Sequence, residues 1–267
     1  MGDGSEALVR LAAFAGVFIL VALAEIAWPF RATVARGWRW GCNVGLSFMN
    51  TVVVRLLALV LPVLPVGVAA QFEGGGLVGL VGMPWLVACV AGFVLLDLAV
   101  YAQHVVFHHV PFLWRLHRVH HADTDFDVTT GIRFHPFEIV LSLLWKLAVI
   151  VALGIPAAGV LAFEIVLNAG AMFSHGNVSL PAGVDRVLRW FIVTPDMHRV
   201  HHSVEPRELN ANFGFNLSAW DRLCGTYVAR TQADARTMPI GLAAHRGPHG
   251  LGLGAMLVFP FAARKSS

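Results

Sequence analysis

Charge is what this sequence has least of. Asp, Glu, Lys and Arg make up 13% of its 267 residues, against about 25% in an ordinary soluble domain. With 57% hydrophobic residues and a mean hydropathy of +0.69, the chain is expected to be an integral membrane protein. The net charge is only +3 and no lysine-rich run exists, which leaves nothing to suggest a nucleic-acid partner. Cysteine is scarce too. Cys42, Cys89 and Cys224 stand far apart without a CxxC, so no disulfide framework is encoded. There is no low-complexity tract and, apart from a repeated HxxHH, no internal repeat. A basic stretch before the first apolar segment is missing, and its LAEIAWPF end lacks the small residues of a cleavage site. That segment reads as an anchor, not a signal peptide.

Histidine, by contrast, is abundant, with 13 copies, and the stretch DLAVYAQHVVFHHVPFLWRLHRVHH holds many of them. His104 and His108 are four apart and share one helical face with Tyr101 and Asp97. Pro111 disfavours helix in the residue before it and suits the first turn of a new one, which predicts a break at Val110. On the second helix His117, His120 and His121 span an arc of about 100°. The pattern returns in DMHRVHHS as His198, His201 and His202, after Thr194 and Pro195, an N-cap followed by proline at the first helical position. Imidazole is a favoured ligand for iron, zinc, copper and nickel. Eight histidines in three clusters exceed one tetrahedral site and suit two metals sharing a pocket.

Apolar segments at 7–28, 44–66 and 85–106 are long enough for a bilayer core of about 30 Å. Glu25 lies near the end of the first, and Arg31, Arg36 and Arg39 fall in the loop that follows. Asn50 and Arg55 within the second are unusual at membrane depth; such residues normally face the bundle interior, and a helix–helix contact is the expected role. Stretches 137–153 and 157–173, separated by Gly154, Ile155 and Pro156, form an expected hairpin. The tail over 251–262 is apolar but short, which predicts an interfacial segment. Arginines cluster after the first and third segments, and the glycine-rich loop near 71–82 has none. By the positive-inside rule the histidine clusters are expected to face the cytoplasm.

The motif order DxxxYxxHxxxH, WxxHxxHH, RFHPxE, HxN, HxxHH and NFGxxLSxWDRLxGTY resembles the fatty acid hydroxylase/sterol desaturase superfamily of membrane oxygenases. Here the motifs are Asp97-Tyr101-His104-His108, Trp114-His117-His120-His121, residues 133–138, His175-Asn177, His198-His201-His202 and residues 212–227. The short HxxxH is most similar to the bacterial and alkylglycerol-monooxygenase-like branch. The resemblance implies an all-α membrane bundle of four to five apolar segments under a cytosolic histidine-rich cap. It divides into an anchor (1–96), a catalytic domain (97–230) and an interfacial tail (231–267). It further implies two iron ions, with zinc able to replace them on isolation, O2 as co-substrate, and hydroxylation or desaturation of a C–H bond in a membrane lipid. No stretch resembles a haem or flavin module, so electrons would come from a separate donor. The expected location is a bacterial plasma membrane.

On this reading His104, His108, His117, His120, His121, His198, His201 and His202 are metal ligands, and His175 is a ninth. Ligating imidazoles donate their other ring N–H to a carboxylate or carbonyl; Asp97, Tyr101, His135, Asn177, Asp196 and Asp221 are the candidate supports. His135 could instead shape the turn before Pro136, and Asp221 could pair with Arg222. His109 lies about 100° from His108 on the helix and is not expected to bind metal. His245 and His249 are expected to be ordinary surface residues. The rival reading is a multi-histidine metal-binding or transport protein without oxygenase activity. Transporter sites sit near the bilayer midplane, whereas these histidines lie at segment ends. A b-type haem needs only one or two axial histidines.

Overall fold

The computed structural model describes residues 3–33, 36–246 and 251–262. Among these residues there is no strand, only the isolated bridges Pro29–Val178, Ile192–Leu217 and Ser203–Ile240. The chain runs through α1 (Asp3–Ala27), α2 (Arg36–Ala58), α3 (Pro65–Phe72), α4 (Gly76–Leu80), α5 (Trp85–His109) and α6 (Pro111–His121). It continues through α7 (Pro136–Leu153), α8 (Ala157–Ser174), α9 (Ala182–Leu188), α10 (Pro195–His201), α11 (Pro206–Leu209), α12 (Ala219–Leu223) and α13 (Leu253–Val258). Helices α1, α2, α5, α7 and α8 are long and apolar enough to cross a membrane. Leu8, Leu11, Ile19, Leu20 and Leu23 of α1 are exposed, a face that suits lipid and would be costly in water.

The second apolar segment is not the continuous 44–66 helix that hydropathy suggests. Helix α2 begins at Arg36 and ends at Ala58, and a separate α3 begins at Pro65. Pro62 and Pro65 lack the amide N–H that a continuing helix needs. At the other end, Arg39 belongs to the helix and not to a loop. It is buried and pairs with Asp123 at 2.7 Å and with Asp127, which makes a charged first turn tolerable inside the fold.

Val110 is extended (φ −91°, ψ 114°) and Pro111 opens α6, so the proline break turns the chain where its spacing predicted. Helices α7 and α8 form the hairpin. Gly154 caps α7 in the left-handed conformation (φ 70°), and a Cβ there would collide with the Gly75 backbone, so this close turn requires glycine. One core cluster sits between α3, α5, α7 and α8, around Ala69, Leu96, Val100, Ile150, Ile155, Val160 and Phe163. A second joins α2, α6 and the tail through Cys42, Leu46, Val119, Ala122, Met256 and Phe259.

The tail is more than an interfacial appendage. Met256 and Phe259 are buried in that second cluster. Arg118 donates to the carbonyls of Phe259 (2.7 Å) and Ala262 (3.3 Å), and Arg115 to Pro260 (2.5 Å). These bonds clamp residues 259–262 on α6. Glu25 does the same for α1, accepting from the backbone N–H of Val128 (2.7 Å) and Asn177 (2.9 Å).

Candidate metal centre

Four elements deliver the histidines. His104 and His108 project from the last turns of α5, and His117, His120 and His121 from α6. His175 sits at the C-cap of α8; His198, His201 and His202 come from α10 and its cap. Thr194 caps α10 by accepting from the Met197 N–H at 3.4 Å. The nine rings sort into two groups: His104, His108, His117, His121 and His201 in one, and His120, His175, His198 and His202 in the other. Within each group the ligating nitrogens lie within 4.8 Å of one another. His108 is half-buried and the other eight are buried.

The nitrogens meet head to head. In the five-histidine group His104 Nε2 is 3.0 Å from His117 Nε2, and His121 Nε2 is 3.2 Å from those of His117 and His108. In the four-histidine group His175 Nε2 lies 3.1 Å from His120 and His198 and 3.2 Å from His202. Between neutral rings the His104–His117 contact cannot be a hydrogen bond. His104 Nδ1–H donates to the Phe213 carbonyl (2.7 Å) and His117 Nδ1–H to Glu138 (2.6 Å). Each then presents a lone pair at Nε2, and the two lone pairs face each other. His175 and His201 commit Nδ1–H likewise to the carbonyls of Ala171 (2.6 Å) and Ala211 (2.8 Å), and His201 Nε2 is buried with no hydrogen-bond partner.

The rings around the His104–His117 pair resist protonation. Burial, reinforced by neighbouring imidazoles, pushes His120, His121, His198 and His202 well below the ordinary histidine range. Burial takes His175 down to about 4 and His201 to about 3. Buried, neutral imidazoles with converging lone pairs fit cations, and the division into five and four fits two of them. Aromatic walls keep the groups dry. Phe134 stacks on His120 at 4.6 Å and 10°, Phe126 stacks on His175 at 5.5 Å, and Phe213 meets His104, His108 and His201 edge-on.

None of the six residues expected to support the imidazoles is hydrogen-bonded to a member of either group. Asp97 accepts from Asn216 Nδ2 (2.8 Å), the Leu217 N–H (3.1 Å) and Trp220 Nε1 (2.8 Å). It ties α5 to the loop that carries Phe213. Tyr101 pairs with Thr226 at 2.9 Å. Asp221 accepts from the N–H groups of Phe213 (2.8 Å) and Gly214 (2.9 Å), while Arg222 donates to the carbonyls of Ser218 and Arg189. His135 caps α7, accepting from the Phe137 N–H, and its Nε2 reaches the Leu257 carbonyl at 3.2 Å. It therefore shapes the turn before Pro136. Asn177 brackets Arg31, and Asp196 pairs with Arg199 at 2.5 Å. These residues build the walls that hold the loops, because their side chains find backbone and side-chain partners nearer than any imidazole.

The carboxylate that does reach a ligand-group histidine is Glu138, the last residue of RFHPFE. It enters the first turn of α7 three residues after the His135 cap, a position that aims it back at α6. Backbone carbonyls of Phe213, Ala211 and Ala171 serve His104, His201 and His175, while the buried Nδ1 atoms of His120, His121, His198 and His202 have no hydrogen-bond partner; no side-chain pattern announces a carbonyl acceptor. Asn50 donates to the Phe134 carbonyl at 2.8 Å and so pins the ring that covers His120. His109 is exposed and bonds its own helix at Val105. His245 is half-buried, edge-on to Phe259, and stands in neither group. His249 lies outside the described residues.

A family model described as fatty acid hydroxylase matches residues 89–226, just over half of the chain and all nine histidines. The chain belongs to the fatty acid hydroxylase family. An ornithine lipid hydroxylase of Rhizobium tropici is 31% identical over 144 residues, covering 54% of this chain and 43% of that protein. Among other members, the alkylglycerol monooxygenase of Xenopus tropicalis is 32% identical over 137 residues, 51% of this chain and 29% of that protein. The human alkylglycerol monooxygenase is 29% identical over 150 residues, 56% and 32% respectively. This fatty acid hydroxylase family member thus spans less than half the length of these relatives. No solved structure matches it.

Proposed function

We propose that this protein is a membrane-embedded oxidoreductase that uses O2 to hydroxylate a C–H bond of a lipid, with two iron ions held by its nine clustered histidines. The observation that carries the reading is the pair of largely buried imidazole groups whose ligating nitrogens converge within 4.8 Å, in a family whose similar members are named as lipid hydroxylases and monooxygenases. His104, His108, His117, His121 and His201 would hold one ion, and His120, His175, His198 and His202 the other. Bound iron supplies activation of O2 and removal of a hydrogen from an unactivated C–H bond. The chain supplies the rest. Glu138 and the carbonyls of Phe213, Ala171 and Ala211 fix the tautomer and direction of four rings. Phe126, Phe134 and Phe213 exclude water. The apolar helices under the groups admit an acyl chain, and a separate protein or reductant delivers electrons. The catalytic unit runs over 97–230.

The histidine side faces the cytoplasm of a bacterial plasma membrane on this reading. Arg31, Arg115 and Arg118 lie at that end, and residues 62–84 carry no Lys or Arg. Reporter fusions after positions 36, 75 and 229 read in, out, in; an outside signal at 229 reverses the assignment.

The central test uses purified protein loaded with iron under anaerobic conditions. It holds close to two ions per chain, or zinc in their place when isolated from zinc-rich medium, since imidazole suits both. His120→Ala and His201→Ala lower the metal content and abolish turnover, while His245→Ala does neither. With a donor and the right lipid, labelled O2 places one oxygen atom in the product; a loss of two hydrogens instead identifies desaturation. One ion or none, together with full activity in His120→Ala, refutes the proposal.

A further inference from the structure

The cap carries an apolar surface that the metal site does not use. On α9 and the turn after it, Val184, Val187, Trp190 and Phe191 are 46%, 59%, 64% and 67% exposed, and Leu223 beside them is 75% exposed. Positions 184 and 187 share one face of α9, and Trp190 and Phe191 follow in the turn after it. The opposite face is welded to the cap: buried Asp185 pairs with Arg189 and accepts from Thr194, the residue that caps α10, at 2.6 Å. Arg222 lies 4.8 Å from the Trp190 ring and donates to the Arg189 carbonyl at 2.7 Å, which locks the α9 and α12 segments into one unit.

That unit reaches past the ends of the spans. Through Asn216, Leu217 and Trp220 it docks on Asp97, twelve residues from either end of α5 and so ~18 Å inside it at 1.5 Å per residue. It also lies against Gly170, four residues inside α8, or ~6 Å from the end of that helix. Exposed Trp28, Trp38, Phe112 and Phe137 stand where α1 ends and where α2, α6 and α7 begin. Aromatics so placed mark a membrane–water interface, and the unit descends below that level. Backbone at such depth must satisfy its own polar groups, and much of this segment is paired internally. The N–H groups of Val193, Ser218, Cys224 and Thr226 bond the carbonyls of Asn216, Phe191, Trp220 and Asp221, and the Asp221 carboxylate takes those of Phe213 and Gly214.

We infer that Val184, Val187, Trp190, Phe191 and Leu223 form a membrane-inserting face of the cap, seated in the lipid leaflet on the histidine side. Exposed Arg186 beside them is placed for lipid phosphates, as cations flanking an interfacial apolar face are. The bilayer is the fitting occupant because the face is bonded, through Phe191 and Val193, to the 216–218 segment that docks on Asp97 well inside α5, where a protein arriving from water has no access. Its consequence is mechanical: the Asp185–Thr194 bond transmits the depth of α9 to α10, which carries His198 and His201.

Native Cys224, exposed next to Leu223, provides the probe. In Cys89→Ala protein, with buried Cys42 left in place, Cys224 takes a nitroxide in the full-length chain in lipid nanodiscs. Phe191→Cys, with Cys224→Ser, gives a second site and Glu205→Cys an exposed aqueous comparator. Collision rates with lipid-soluble O2 and a water-soluble nickel chelate are then compared. Labels at 191 and 224 favour O2 over nickel severalfold relative to the label at 205. Nickel accessibility equal to that at 205 overturns the inference. Protection from both reagents with dipolar broadening between chains overturns it too, in favour of a second copy on this face. Circular dichroism screens each variant for folding, and Cys224 itself needs no substitution at the surface under test.

Discussion

Glu138 and Asp97 are both buried acids near the histidines, yet they act on different partners. Glu138 meets His117 Nδ1 at 2.6 Å, so Glu138→Gln weakens the acceptor that directs one ring. Metal affinity is expected to fall about 10–100-fold, the usual cost of losing such a partner, with helix content unchanged. Competition with a chelator measures it, and wild-type affinity would show that the bond is dispensable. Asp97 holds three donors of the 216–220 segment. Asp97→Asn turns an NH2 group toward one of them, and thermal stability should drop by about 1–3 kcal/mol, the cost of a buried unsatisfied polar group. Metal content should fall less than in Glu138→Gln, because Asp97 reaches His104 only through the loop that presents the Phe213 carbonyl. An intact melting temperature with lost metal would reverse these roles.

Helices α1, α7 and α8 are joined inside the apolar region by a charged triad. Glu164 of α8 accepts from Arg10 of α1 at 2.6 Å and from Lys146 of α7 at 3.0 Å. Glu164 is 5% exposed. Glu164→Gln leaves buried Lys146 without its carboxylate, while Arg10 keeps Glu6 at 3.5 Å; the uncompensated lysine is expected to cost about 3–5 kcal/mol. Lys146→Met costs less, since Arg10 still neutralises Glu164. Unfolding in detergent micelles ranks the two, and the reverse order would mean that packing of the Lys146 stem outweighs the charge. At the histidine end the burial of Arg39 against Asp123 and Asp127 is why α2 begins earlier than hydropathy suggests. The arginine reads as loop in sequence because its counter-charges lie more than eighty residues away.

The whole molecule concentrates nine imidazoles, eight of them buried, and this sets its response to acid. An unfolded histidine titrates near 6.5, whereas folded His175 is held at about 4 and His201 at about 3 by burial. A base with a depressed folded value binds fewer protons folded than unfolded between those limits, so stability falls as pH falls. The metal-free protein should therefore keep its full stability above about pH 6.5. It should lose stability progressively toward pH 4 as the unfolded chain gains protons. Metal shifts the loss to lower pH, because ligands must be deprotonated to bind. Melting curves with and without chelator across this range test the expectation; flat stability down to pH 4 would show that the imidazoles are already protonated or solvated in the fold.

The membrane class, the break at Val110, the cap at Thr194, the hairpin at Gly154 and the nine converging histidines were all legible before any tertiary contact. These follow from local chemistry: apolar length, proline geometry, side-chain capping and helical spacing act within a few residues. What only the tertiary structure decided is which histidines share a group, and what holds each ring. His120 and His121 are neighbours in sequence, yet they enter different groups, because adjacent helical positions diverge by about 100° and meet different partners from α5, α8 and α10. Asp97 looked like a histidine support because it shares their face, but its carboxylate found closer donors more than a hundred residues away. Glu138, the acid that does meet a ring, depends on how α7 packs on α6, and no local pattern encodes that.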